Sequence, residues 1–333
     1  MAHRKTPRKS SKTKLASHGD KKIIAVVGAT GAQGGGLARA ILDDKSSRFA
    51  VRALTRDPSS EKAKALADAG AEVIAADIDD VKSLRNAFEG AHGAFCVTFF
   101  WDHMKPEKEL AHARNMAQAA KDAGVHHVIW STLEDTRLRI PLSDDRMPTL
   151  HGKYKVPHFD GKGEANAVFA EAKVPHTLLV TSFYWDNFIY FGAGPKKDAS
   201  GQLALVLPLG NMKLPGIAAE DIGPCAFGVF TRGQEMIGRT VGIAGEHLSG
   251  AQMAAEMSTA LGQPVRYEAV SFDAYRKFGF PGADDLGNMF QYKHDFEREF
   301  RSARPVEQTR ALYPGLHTFR QWLAKYAKQI PLS

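Results

Sequence analysis

The chain has 333 residues, 44% hydrophobic and 24% charged, with a formal net charge of +7. That is enough for one large α/β domain or two smaller ones around a sizeable core, and no apolar run approaches the roughly 20 residues that span a bilayer. Two cysteines, Cys96 and Cys225, are too few for a disulfide framework or a zinc site, and as small buried side chains they suit a reducing, cytoplasmic setting.

The charge is unevenly placed. Residues 1–22 hold eight Lys/Arg and one acid, which leaves the rest of the chain formally neutral. The basicity therefore gives no case for a fold that binds nucleic acid specifically. Residues 1–21, with Leu15 their one large apolar side chain after Met1, are expected to form a disordered tail, and they lack the apolar core of a secretion signal.

Ile23 to Val27 form a short apolar run, the pattern of a strand buried on both faces of a parallel sheet. From Leu37 the apolar positions take helical spacing, and between the two lies the turn Gly28-Ala29-Thr30-Gly31-Ala32-Gln33-Gly34, a G-x-x-G-x-x-G pattern. Glycines there allow a sharp exit from the strand and a close backbone approach to a pyrophosphate. They also let helix pack tightly on strand, and the helix N-terminus offers free N–H groups to the phosphates. A second strand, Phe49–Thr55, ends in Thr55-Arg56, where NAD-specific sites place an acid that binds both ribose hydroxyls. Arg56 instead presents a guanidinium suited to a 2′-phosphate, so the expected cofactor is NADP(H). Asp57 beside it reads as part of the turn and cap that open the next helix.

A helix over 60–69, a strand over 72–76 ending at Asp77 and Ile78, and a helix over 80–88 follow. Asp77 is placed either to accept the adenine amino group or to cap the helix after it. Gly93–Val97 is the fourth strand, and its exit, Thr98-Phe99-Phe100-Trp101, reads as pocket wall beside the cofactor. A helix over 105–122 leads to a fifth strand, 126–132; a long loop over 133–157 and a helix over 159–172 lead to a sixth, 176–180. Strand and helix alternating in this way predict a Rossmann-type, doubly wound parallel sheet over 22–182. Beyond it, short strands at 203–207 and 241–244 and helices near 219–231, 249–260, 283–297 and 316–328 predict a smaller α+β substrate-side lobe over 183–333, interleaved with the sheet.

The glycine turn, Thr55-Arg56, the string His158-Phe159-Asp160-Gly161-Lys162-Gly163-Glu164 and the stretch Gly279–Phe290 resemble the NmrA-like family of atypical short-chain dehydrogenase/reductases over about residues 22–326. The resemblance implies that residues 28–33 cradle the pyrophosphate, that Arg56 meets the 2′-phosphate and that Asp77 and Ile78 lie at the adenine. It places Lys162 on the nicotinamide ribose and Phe183, Tyr184, Trp185 and Asp186 along the nicotinamide. It further implies NADP(H)-binding, redox-responsive regulation through a protein partner.

Short-chain reductases use a Tyr four residues before a Lys on one helix, the phenol transferring the proton. Here His158 stands four residues before Lys162, and Tyr154 lies eight before it across Pro157. The spacing keeps both side chains on one helix face, but the phenol is gone. Imidazole can shuttle protons, although a cation at Lys162 disfavours its charged form. Ser131, at a strand end, is a candidate for orienting a carbonyl or for a backbone contact. The expectation is a regulator whose occupancy orders loops 133–157 and 184–200. The alternative is an NADPH-dependent reductase of small carbonyl or quinone substrates, with His158, Lys162 and Ser131 as its candidate residues. A small-molecule substrate and a homodimer stay open; a membrane is not expected.

Overall fold

In the computed structural model residues 20–46 and 48–332 are described, so the basic segment expected over 1–21 lies almost wholly outside the described residues. The first half folds as β1 (Lys22–Val27), α1 (Ala32–Asp43), β2 (Phe49–Thr55), α2 (Glu61–Asp68), β3 (Glu72–Ala75), α3 (Val81–Phe88), β4 (Gly93–Cys96), α4 (Pro106–Asp122), β5 (His127–Thr132), α5 (Pro157–Glu171) and β6 (His176–Val180). It continues with β7 (Phe183–Tyr184), α6 (Asn187–Tyr190), β8 (Lys196–Lys197), β9 (Leu203–Leu207), β10 (Lys213–Ile217), α7 (Ala219–Arg232) and β11 (Thr240–Gly242). Then come β12 (Glu246–Ser249), α8 (Gly250–Leu261), β13 (Val265–Ala269), α9 (Phe272–Arg276), α10 (Ala283–Asp295), α11 (Glu297–Ser302), α12 (Val306–Leu312) and α13 (Phe319–Tyr326).

Seven strands form one sheet in the order β11-β6-β5-β4-β1-β2-β3, every neighbouring pair parallel. Alternation along β1 divides its side chains between two layers. Ile24 and Val26 join Leu37, Ile41, Ile222 and Val229 of α1 and α7. Ala25 and Val27 join Ala113, Met116 and Ala117 of α4 and Phe169 of α5. α1 and α7 touch through glycines: a Cβ on Gly223 would collide with the backbone of Gly36 and Leu37, and one on Gly36 would lie 2.8 Å from the Glu220 carbonyl.

Residues from 183 onward build two three-stranded sheets, β12-β10-β7 and β13-β9-β8, around a core that holds Trp185, Phe188, Phe319 and Trp322. They also return to the main sheet, because β11 pairs with β6. Strands β7, β8, β10, β12 and β13 and helices α6, α9, α11 and α12 are absent from the sequence-based expectation. The loop over 133–157 holds one short helical turn, Thr136–Leu138, and is strapped down by Asp160 of α5. That carboxylate accepts from the Thr136 N–H and hydroxyl (2.8 and 2.6 Å) and from the N–H groups of Lys155 and Val156 (2.7 and 3.0 Å).

Candidate cofactor and substrate site

β1 ends at Gly28, whose φ of 66° is the left-handed turn that carries the chain off the sheet. A Cβ on Gly34 would lie 2.5 Å from the Gly28 carbonyl oxygen, so only glycine lets α1 start this close to the strand end. Gly31 occupies the N-cap and offers no side chain to the first turn of α1. The N–H groups over Ala32, Gln33 and Gly34 are thus left for an external acceptor. This is the turn formed by residues 28–34, with Ala29 buried and Thr30 half-buried.

Arg56 follows β2 with its side chain 78% exposed; its nearest carboxylate is that of Asp102, at 3.9 Å. Asp57 does not neutralise it. Its carboxylate accepts from the Ser59 N–H and hydroxyl (2.9 and 2.6 Å), and Ser60 caps α2. Asp77 is exposed beyond β3 and folds a turn by accepting from the Asp79 N–H at 3.0 Å. The cap of α3 is Asp80, not Asp77. The Ile78 carbonyl takes the Asn115 amide at 2.9 Å.

At the carboxyl ends of β4, β5 and β6 lies a cavity of about 590 Å³, lined by Gln33, Thr98, Phe99, Ser131, His158, Lys162, Phe183 and Tyr184 among others. Its size suits a small organic ligand. Gln33 closes one wall: its amide donates to the Tyr184 hydroxyl (2.8 Å) and accepts from Ser131 (2.6 Å). Ser131 therefore bonds a side chain, neither a backbone group nor an open position. Trp185 and Asp186 turn away from the cavity. Trp185 packs on Phe319 and Trp322 in the lobe core, and Asp186 accepts from the Ala219 N–H at 2.8 Å, at the start of α7.

α5 carries His158 and Lys162 one turn apart, each with a carboxylate from a distant helix. Asp285 of α10 holds His158 twice, accepting from its backbone N–H at 3.1 Å and from Nδ1 at 2.7 Å. That leaves Nε2 as the nitrogen free for a ligand. Glu109 of α4, with no exposed surface, lies 2.9 Å from Lys162 Nζ, and Thr98 Oγ1 bridges them at 2.5 Å from each. Burial pushes the Glu109 carboxyl up, but Lys162, His103 and Thr98 outweigh it and hold it down at about 2. The lysine charge is therefore compensated inside the protein. The two cavity phenols are poor substitutes as acids. Burial pushes Tyr184 and Tyr275 up to about 12. Tyr154 donates its hydroxyl to Glu107 at 3.2 Å and does not line the cavity.

His103, Glu109 and His112 bring three ligand-type atoms within 4.8 Å of one another. His112 donates Nε2–H to Asp79 at 2.9 Å, leaving Nδ1 as a lone pair. His103 accepts the Lys105 N–H on Nδ1 at 3.0 Å, so its Nε2 carries hydrogen and faces Glu109 Oε1 at 3.3 Å. One N–H and two lone pairs suit a hydrogen-bonded water and fall short of the three or four ligands of a protein-bound zinc.

A cavity at the carboxyl edge of a doubly wound sheet, beside an uncapped helix N-terminus at the strand-order switch between β1 and β4, is where such folds take a dinucleotide. The class is thus a Rossmann-type dinucleotide-binding protein. The chain belongs to the NmrA-like family, whose model matches residues 20–323. A relative named NmrA-like family domain-containing oxidoreductase FrzB, from Cladobotryum sp, is 29% identical over 309 residues, covering 86% of this chain and 88% of its own. The negative transcriptional regulator NmrA in complex with NADP superposes with a TM-score of 0.74 at 25% identity, covering 93% of this chain and 96% of that one. The triphenylmethane reductase of Citrobacter sp. complexed with NADP(H) shares the fold, with a TM-score of 0.69 at 20% identity over 92% and 99% of the two chains.

Proposed function

We propose that the protein is an NADP(H)-dependent reductase of small carbonyl or quinone compounds, with His158 as the proton donor. The observation that carries this is the Asp285–His158 pair, 2.7 Å apart and buried, on the helix face that also places Lys162 in the cavity. A carboxylate on Nδ1 fixes the ring and turns Nε2 toward the cavity, where an imidazolium Nε2–H would donate to a bound oxygen. The reduced nicotinamide supplies the hydride when bound. The turn at Gly28–Gly34 would hold the pyrophosphate, Arg56 the 2′-phosphate and Lys162 the ribose hydroxyls. The oxidoreductase naming of FrzB supports the same reading.

The regulatory alternative, in which occupancy orders the 133–157 and 184–200 loops, draws less support over the first of these. Asp160 already straps that loop, Lys155 Nζ donates to the Asp144 and Met147 carbonyls (2.8 and 2.7 Å), and Asn288 of α10 bonds the Pro148 and Lys155 carbonyls. Oxidation of NADPH with a panel of quinones and aldehydes tests the proposal. His158→Ala should lower kcat by about 100-fold and leave NADPH affinity unchanged. An unmodified protein that binds NADPH and turns over none of the panel would return the assignment to a binding-only regulator.

A further inference from the structure

We infer that Lys293 anchors an anionic oxygen, a carboxylate or phenolate carried on an aromatic ring, at the substrate end of the cavity. This rests on the cavity being a substrate site, as proposed above, and it names the class of substrate.

Lys293 lines the cavity yet is 3% exposed. Its ammonium lies 5.4 to 5.9 Å from the ring centroids of Phe159, Phe183, Phe290 and Phe300. Among the described residues its one hydrogen bond is to the thioether of Met289, at 3.2 Å, and no carboxylate lies within ion-pair distance. The two charged groups that act on it are Glu134 and Arg304, and they are paired with each other at 2.6 and 2.8 Å. A buried ammonium with unused N–H groups and no counter-ion is costly. Faces of four rings ease that cost in part and shape the space for a flat, apolar body.

Helix geometry ties the lysine to the proposed chemistry. Asp285, Met289 and Lys293 recur every four residues, on one face of α10. The same helix thus sets the carboxylate behind His158 and, about 12 Å further along its axis, the ammonium. One ring stands beside both groups: Phe159 is 4.8 Å from His158 between ring centroids and 5.4 Å from Lys293 Nζ. An aromatic acid or phenol seated on Lys293 therefore reaches toward Nε2. Burial, with repulsion from Arg304, pulls the free amine down to about 7, so binding of an anion draws a proton onto it.

Calorimetric titration of the full chain, saturated with NADP+, tests this with 2-naphthoate and its neutral isostere 2-naphthamide, just below neutral pH. A second pair, 4-nitrophenolate and nitrobenzene above neutral pH, separates a phenolate preference from a carboxylate one. The unmodified protein should bind one of the anions at least about tenfold more tightly than its neutral partner. Lys293→Met should level that pair and leave NADPH affinity unchanged. Equal affinity for anion and neutral partner in both pairs, or a preference that survives Lys293→Met, overturns the inference. The readout is binding alone, so it stands apart from any failure of turnover with quinones and aldehydes.

Discussion

His158 and Lys162 both face the cavity from α5, and each is completed by a residue far away in the chain. Asp285→Asn keeps the shape of the pair and removes the charge behind the imidazole. It should lower kcat about tenfold or more while leaving NADPH affinity as it is, which steady-state kinetics beside a binding titration will show. Arg56→Asp replaces an exposed cation with a repelling charge. NADPH affinity should fall about tenfold or more and NADH affinity should not; equal affinities for the two in the unmodified protein would refute the role given to Arg56. Lys293 makes a pH prediction. Its folded value of about 7 lies below the ordinary 10.5, so the unfolded chain holds the extra proton between those limits and stability rises with pH there. Lys293→Met should therefore raise the melting temperature by an amount on the order of 5 °C at neutral pH and below. The gain should shrink as pH climbs from about 7 and be gone by 10.5. Glu109 shares that slope but stabilises the fold instead of penalising it: its value is depressed from 4.5 to about 2. Its contribution is complete above 4.5 and lost as pH falls from 4.5 to about 2.

Elements differ in how openly the sequence declares them. β1, the glycine turn and α1 are legible because an apolar run, three spaced glycines and a change of period occur within 21 residues. β10 is hidden because Pro215 and Gly216 stand in its middle, and β12 because all four of its residues are half-buried and show no alternation. The site divides in the same way. His158 and Lys162 share one helix and a local spacing, so they can be found from sequence. Asp285 lies 127 positions from His158, and nothing local marks it beyond the family-specific string that contains it. Lys293 looks like any surface lysine until α10 is packed. Where helix meets helix, α1 and α7 touch backbone to backbone. Gly223→Ala should cost about 1–3 kcal/mol of stability in urea unfolding, because the added methyl meets main-chain atoms that have no rotamer to change.

At the scale of the whole molecule, the sheet is finished by a strand that arrives late. β6 ends at Val180, and its neighbour β11 begins at Thr240, after β8, β9, β10 and α7 have intervened. During synthesis the growing polypeptide therefore presents an open row of amide and carbonyl groups along Leu178–Val180 while some sixty more residues are made. Such an edge is an invitation to pair with another nascent chain. A version stopped after Val180 should emerge insoluble or swapped between copies, and one extended through Gly242 should recover in part, as a sedimentation assay of the two expressed pieces would show. The same wiring makes any genetic split or fusion near residue 183 hazardous, although a boundary there looks natural on paper.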